Sequence, residues 1–191
     1  ASLARWKSKV GENEAERVKN EAAARGTAMH KFLEYYVQNQ KLLDLTDEGR
    51  EASSMGQAII DNSFKEIEEV WGSEVTLFYP GLYAGQTDLC GIYSGRESII
   101  DFKQTNKPKR REWIEDYFLQ LAAYAMAHDV IYNTCVDQGV ILMCSKDGFF
   151  QKFTSTGKEF TGYKHKFLAK IDEFYKKNVN LGVKNPHKTN F

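Results

Sequence analysis

Residues 83–104 read YAGQTDLCGIYSGRESIIDFKQ, and the way this stretch folds back on itself decides how the rest of the chain is understood. Residues 83–93 and 98–104 are rich in β-branched and aromatic side chains, and Ser94-Gly95-Arg96-Glu97 between them has the composition of a tight hairpin turn. With Gly95 and Arg96 as the central turn residues, Asp88 falls opposite Lys103 and Cys90 opposite Asp101. Side chains alternate faces along a strand, so Asp88, Asp101 and Lys103 share one face while Leu89, Ile100 and Phe102 take the other. A slip of one residue in register would break this alignment. Two carboxylates and an amine therefore converge on one patch with an apolar backing.

The flanks complete a fold around this hairpin. Upstream, residues 12–24 (ENEAERVKNEAAA) have helical composition, Arg25-Gly26 interrupts them, and Thr27 caps a second helix whose apolar side is Met29, Phe32, Leu33, Tyr36 and Val37. A third helix is expected over 47–70, with Ile59, Ile60, Phe64, Ile67 and Val70 at helical spacing. The pattern changes at Gly72, and 73–79 reads as a strand. Downstream, 105–111 (TNKPKRR) is a basic loop broken by proline, 112–129 a long helix and 138–145 a strand. Asp147-Gly148 turns into a strand over 149–154, 158–178 forms an amphipathic helix, and 182–191 is a loose tail. This order predicts one mixed α/β domain, with a helical flank over 12–70, a core over 73–178 and helices packed on a small central sheet.

Composition narrows the function classes. The chain has 191 residues, 42% hydrophobic and 27% charged, a balance suited to a globular core. Formal net charge is zero, so any contact with nucleic acid must come from local clustering. Cys90, Cys135 and Cys144 are widely spaced and read as free thiols. They do not complete a four-cysteine iron–sulfur site. No apolar run reaches the ~20 residues of a membrane span.

A paired-carboxylate patch suits phosphodiester hydrolysis. Carboxylate oxygens hold Mg²⁺ or Mn²⁺, and the ion polarises the phosphate and acidifies water. A lysine beside it orients or deprotonates the nucleophile. Alone, a D-x-K is weak evidence and reads more readily as a solvated cross-strand ion pair between Asp88 and Lys103. Other residues shift the balance. Gly26 and His30 make a G-x-x-x-H pattern with Glu34 one turn further on, and Glu74 lies on the strand before Asp88. Gln120 and Tyr124 share a face of the helix after the lysine. Each has a bland reading as surface or core residue; their order together is far more specific. The densest basic cluster, Lys103, Lys107, Lys109, Arg110 and Arg111, follows the same strand and can neutralise phosphates, with Trp113 and Tyr117 able to stack on bases. The run 164–170 (KHKFLAK) reads as a solvated helix face.

This set, Gly26 and His30, Glu74, Gly85 to Asp88, Asp101 to Lys103, then Gln120 and Tyr124, resembles the RecB-like branch of the PD-(D/E)xK nucleases. Within it, IIDFKQTNKPKR, FLQLAAYAMAHD and GVILMCSKDG are similar to the family of the mitochondrial genome maintenance exonuclease and its phage-encoded relatives. Thr87-Asp88 stands in place of the nominal Pro-Asp, and the cluster cysteines of the branch's iron–sulfur members are missing. The resemblance implies a restriction-endonuclease-like core, a small mixed sheet flanked by helices with an N-terminal helical segment. It implies an Mg²⁺- or Mn²⁺-dependent DNA exonuclease, without an iron–sulfur cluster, acting at free ends of single-stranded or flapped DNA threaded under an arch built from 12–45. Asp88, Asp101, His30 and the Phe102 carbonyl would be metal ligands for one or two ions, with Glu74 holding a second ion or a metal-bound water. Lys103 would position and activate the nucleophile, and Gln120 and Tyr124 would orient Lys103 or touch the DNA backbone. The protein would be a monomer without membrane attachment, in the cytoplasm of a phage-infected bacterium or in a mitochondrion. A catalytically silent DNA-end-binding module and a structure-specific endonuclease are the alternatives on the same fold.

Overall fold

The computed structural model describes residues 8–178, and the expected tail over 182–191 lies outside them. In chain order the elements are α1 (Glu12–Val37), α2 (Asp47–Ser63), β1 (Ile67–Tyr79), β2 (Tyr83–Tyr93), β3 (Arg96–Thr105), α3 (Glu115–Tyr132), β4 (Gln138–Ser145), β5 (Phe150–Thr156) and α4 (Gly157–Asn178). The five strands form one sheet in sequence order. β1 to β3 are an antiparallel meander. β4 then runs parallel to β3: Asp137 N–H donates to Glu97 O beside the start of β3, and Lys146 N–H donates to Thr105 O at its end. The sheet is therefore mixed, and the fold is the expected α/β type with an N-terminal helical segment.

Several local expectations are corrected. The β2–β3 hairpin closes with Tyr93 opposite Arg96, so the turn is Ser94-Gly95 and not Gly95-Arg96. Ser94 and Gly95 have φ of 49° and 75°, the left-handed pair that a two-residue hairpin turn with right-handed strand twist requires; an arginine in the second position would resist it. Leu89 consequently faces Ile100, which puts Asp101, not Lys103, on the rung of Asp88. The displacement is two residues, so every side chain keeps its expected face.

The break expected at Arg25-Gly26 does not occur, and α1 runs unbroken through it. Thr27 does not cap a helix; its hydroxyl donates back to Ala23 O at 3.1 Å. A lone helical glycine costs only about 1 kcal/mol, which burial of Arg25, Met29 and Leu33 on one stripe readily offsets. The third helix stops at Ser63, and after a short 3₁₀ turn Ile67 and Val70 belong to β1. Helical spacing of apolar residues there concealed a β-branched and aromatic run that pairs with β2. The helix expected over 112–129 instead starts at Glu115 after a 3₁₀ turn and ends at Asn133, whose left-handed backbone donates to Asp129 O at 2.9 Å.

The chain divides into two compact units. One contains residues up to Asn62 with Lys103–Pro108 and Met143–Gln151; its core includes Met29, Leu33, Met55 and Ile59. The other contains Ser63–Phe102, Lys109–Leu142 and the chain from Lys152. There α3 packs on β1, β2 and α4 around Leu89, Ile100, Phe118 and Leu121. No helix among the described residues is long and apolar enough to cross a membrane.

Candidate active site

The meander sets three acids side by side. Ser73 faces Leu89 and Val75 faces Thr87, which leaves Glu74 on the rung of Asp88, and Asp101 follows Ile100, the last β3 residue paired with β2. Glu74 has φ of 52° inside a strand, a left-handed backbone that costs a glutamate about 1 kcal/mol or more. The Gln86 side-chain amide holds the Glu74 carbonyl at 3.0 Å. Asp88 Oδ2 accepts the backbone N–H of Phe102 at 2.7 Å, so the β2–β3 ladder ends in a carboxylate. In an extended chain a residue's N–H and C=O point to the same side, which turns the Phe102 carbonyl the same way. Asp101 is only 3% exposed, and a carboxylate so deeply buried is stable only with hydrogen-bonding or cationic company. Lys103, two residues further along β3, shares its face and is half-buried.

Among the described residues, one group of side chains can hold a metal ion: His30, Glu74 and Asp88, whose ligand atoms all lie within 4.8 Å of one another. All three are half-buried. One imidazole nitrogen and hard carboxylate oxygens fit a divalent cation. Asp101 stands outside this group.

Arg25 was missed as anything but a helix breaker. It is 3% exposed; its Nε donates to Gln104 Oε1 at 3.0 Å, Nη1 reaches Glu51 Oε2 at 3.4 Å, and Nη2 donates to Asn106 Oδ1. Gln104 in turn donates to Ala22 O at 2.8 Å. The residue following Lys103 is thus clamped at both ends of its amide. The signal available in the sequence was the spacing of Arg25, Met29 and Leu33, which puts the arginine on the buried stripe.

On α3, Gln120 Nε2 donates to Tyr124 Oη at 2.9 Å. The Tyr124 ring lies against Gly85, where an added Cβ would come within 2.6 Å of it. The Gly85 and Tyr124 motif positions are therefore two sides of one contact.

The basic cluster divides. Lys107 is exposed and Lys109 half-buried. Arg110 lies 5.4 Å from the Trp113 ring centre, and Trp113 is exposed. Arg111 is committed elsewhere: it forks onto Glu159 at 2.8 and 2.9 Å, donates to Thr154 O and covers the Phe118 ring. Burial works against the Glu159 charge, but the Ser155 hydroxyl and Arg111 outweigh it and hold that carboxyl below its usual range. Tyr117 is half-buried.

The motif order from His30 to Tyr124 is the one that carries the resemblance to the PD-(D/E)xK nucleases. The chain is a homologue of mitochondrial genome maintenance exonuclease 1: it is 28% identical to the human protein over 195 residues, covering 96% of this chain and 56% of that one. Against the Xenopus tropicalis protein identity is 30% over 156 residues, covering 75% of this chain and 44% of that one. The chain thus spans about half the length of these curated relatives. A crystal structure from Eubacterium rectale assigned as an exonuclease superposes with a TM-score of 0.58 at 11% identity, covering 84% of this chain and 69% of that one, which shows a shared fold. No protein-family model matches the chain.

Proposed function

We propose that this domain is a metal-dependent deoxyribonuclease that removes nucleotides from free ends of single-stranded or flapped DNA. The observation that carries the reading is the placing of Glu74 and Asp88 side by side on β1 and β2, two members of the group that could hold a metal ion, with Asp101 on the adjoining β3. A bound Mg²⁺ or Mn²⁺ would neutralise charge developing on the phosphate. The chain's own residues do the rest. His30, Glu74, Asp88 and Asp101, with the Phe102 carbonyl, would hold the ion. Lys103 takes or steers the proton of the attacking water, a role whose loss costs about 10²- to 10⁴-fold in rate. Gln120 and Tyr124 place a hydroxyl and an amide along the strand, while Lys107, Lys109, Arg110 and Trp113 bind phosphates and bases without regard to sequence. Arg111 contributes through the packing of α3 and α4. The named relatives make the mitochondrion one setting for this chemistry, and a phage-infected bacterial cytoplasm is the other; the domain acts as a monomer on DNA.

The test is digestion of end-labelled single-stranded DNA, linear and circular, with Mg²⁺ or Mn²⁺, by wild type and Lys103→Ala. Shortening of linear DNA alone, with an inactive variant that still binds DNA, is the expected result. Cutting of circles would make the domain an endonuclease. Binding without any cutting would make it an end-binding module.

A further inference from the structure

An open cleft of about 300 Å³ on the second unit is lined by Tyr83, Gln120, Tyr124, Phe167 and Lys170, with Asp116 at its edge. None of its residues is needed to hold an ion, yet its walls combine three different chemistries. The aromatic wall is rigid: Tyr83 donates its hydroxyl to Ala123 O at 2.9 Å, stacks on Tyr79 at 5.6 Å, and meets Phe167 edge to face at 5.0 Å. The polar wall has a directed donor. The Tyr124 oxygen already accepts the Gln120 amide, so its own hydrogen is left to donate outward. The cation is Lys170, 3.1 Å from Asp116; both are strongly exposed, and such a surface pair is weak enough to exchange for a phosphate. The cleft also has a fixed place on β2: Tyr124 rests on Gly85, three residues before Asp88, so the two positions turn to opposite sides of the strand roughly 10 Å apart along it.

We propose that this cleft is a subsite for one nucleotide of the DNA strand, taking the base against Tyr83 and Phe167 and the adjoining phosphate on Lys170 and the Tyr124 hydroxyl. The inference rests on the nuclease reading above and goes beyond it. It assigns substrate contacts to α4, whose basic run otherwise reads as a solvated face. An aromatic platform beside a lysine binds single strands of any sequence, because every base has a π face. Lying on the side of β2 away from Asp88, the cleft seats a nucleotide removed from the scissile phosphate.

The test uses the full chain and fluorescent oligodeoxythymidylate in EDTA, so that binding is read without cleavage. Lys170→Gln should weaken binding and make the slope of log K against log salt shallower by about 0.7, one phosphate contact on a single strand. Phe167→Leu keeps apolar packing on Tyr83 but removes the π face, and should weaken binding about tenfold. On an oligomer of abasic sites Phe167→Leu should bind as wild type does. Wild-type affinity and salt slope in Lys170→Gln, or an equal loss on abasic and normal strands in Phe167→Leu, would overturn the subsite while leaving the nuclease reading intact. A wild-type protein that neither binds nor cuts DNA would overturn both.

Discussion

Asp88 Oδ2 accepts the Phe102 N–H at 2.7 Å, so one carboxylate both closes the end of the β2–β3 ladder and faces the ion position with His30 and Glu74. The two roles are separable. Asp88→Asn retains an oxygen for the Phe102 amide but loses the charge, so its melting temperature should stay close to wild type while Mn²⁺ affinity falls at least tenfold. Asp88→Ala should lose both and be destabilised by about 1–3 kcal/mol, the cost of stranding a buried donor. Calorimetric Mn²⁺ titration beside thermal melting reads the two effects; unchanged Mn²⁺ affinity in Asp88→Asn would remove Asp88 from the ligand set.

Gly85 and Tyr124 form a size-matched pair. Gly85→Ala places a methyl 2.6 Å from the Tyr124 ring, closer than packed atoms tolerate, and should cost about 1–3 kcal/mol by overpacking. It should also slow DNA cleavage by displacing the tyrosine. Combining it with Tyr124→Ala should restore part of the stability and none of the activity. Urea unfolding of the two single variants and the double variant checks the coupling, and strict additivity would disprove the contact.

Arg25 joins α1 to the residues just after Lys103. Arg25→Ala would take the guanidinium donors from Gln104 and Asn106 and leave Glu51 with Lys146 alone, and should destabilise the chain by about 3 kcal/mol, as breaking a buried charged network does. Arg25→Lys should recover little, since one ammonium cannot reproduce a planar fork. Urea midpoints of the two variants decide this; full recovery by lysine would mean that charge alone matters.

His128 predicts a pH dependence of stability. It is 3% exposed, stacks on Trp71 and meets Tyr132, and burial holds its pKa below the ordinary value of 6.5, against the opposing pull of Asp129 and Glu97. The unfolded chain therefore takes up a proton that the folded chain refuses. Stability from this group is fully present above about pH 6.5 and is lost as pH falls from there toward the depressed folded value. The Thr134 hydroxyl donates to Asp129, so it accepts from a neutral His128 through Nδ1–H. Between pH 7.5 and 5.5, wild type should lose more unfolding free energy than His128→Phe, measured by urea titration. Parallel losses in both proteins would contradict it.

How far the sequence could be read depended on which force set each feature. The extents of β2 and β4 were legible because apolar, β-branched runs bounded by turn residues have few other solutions. The shared face of Asp88, Asp101 and Lys103 survived a misread turn because two-residue displacements conserve parity. Alternation constrains faces more tightly than partners, so Asp101 and not Lys103 across from Asp88 was beyond it. The unbroken α1 was hidden because glycine's local preference is small beside the burial of Met29 and Leu33. The Gly85 and Tyr124 contact joins residues far apart in sequence through packing, and no local pattern announces it. Arg111 looked like one more phosphate ligand until its Glu159 partner, 48 residues away, was in view.

The three acids come from one uninterrupted meander, Ile67–Thr105, closed by nearest-neighbour hairpins. Such short-range pairing forms early, whereas β4 must wait for the whole α3 crossover before it can lie parallel to β3. A nascent chain is thus expected to gather Glu74, Asp88 and Asp101 before β4, β5 and α4 have been synthesised. For that interval the carboxylates repel one another without the finished fold around them. Divalent cations in a refolding buffer should therefore speed the earliest phase of folding if these acids bind them, and stopped-flow refolding with and without Mg²⁺ checks it.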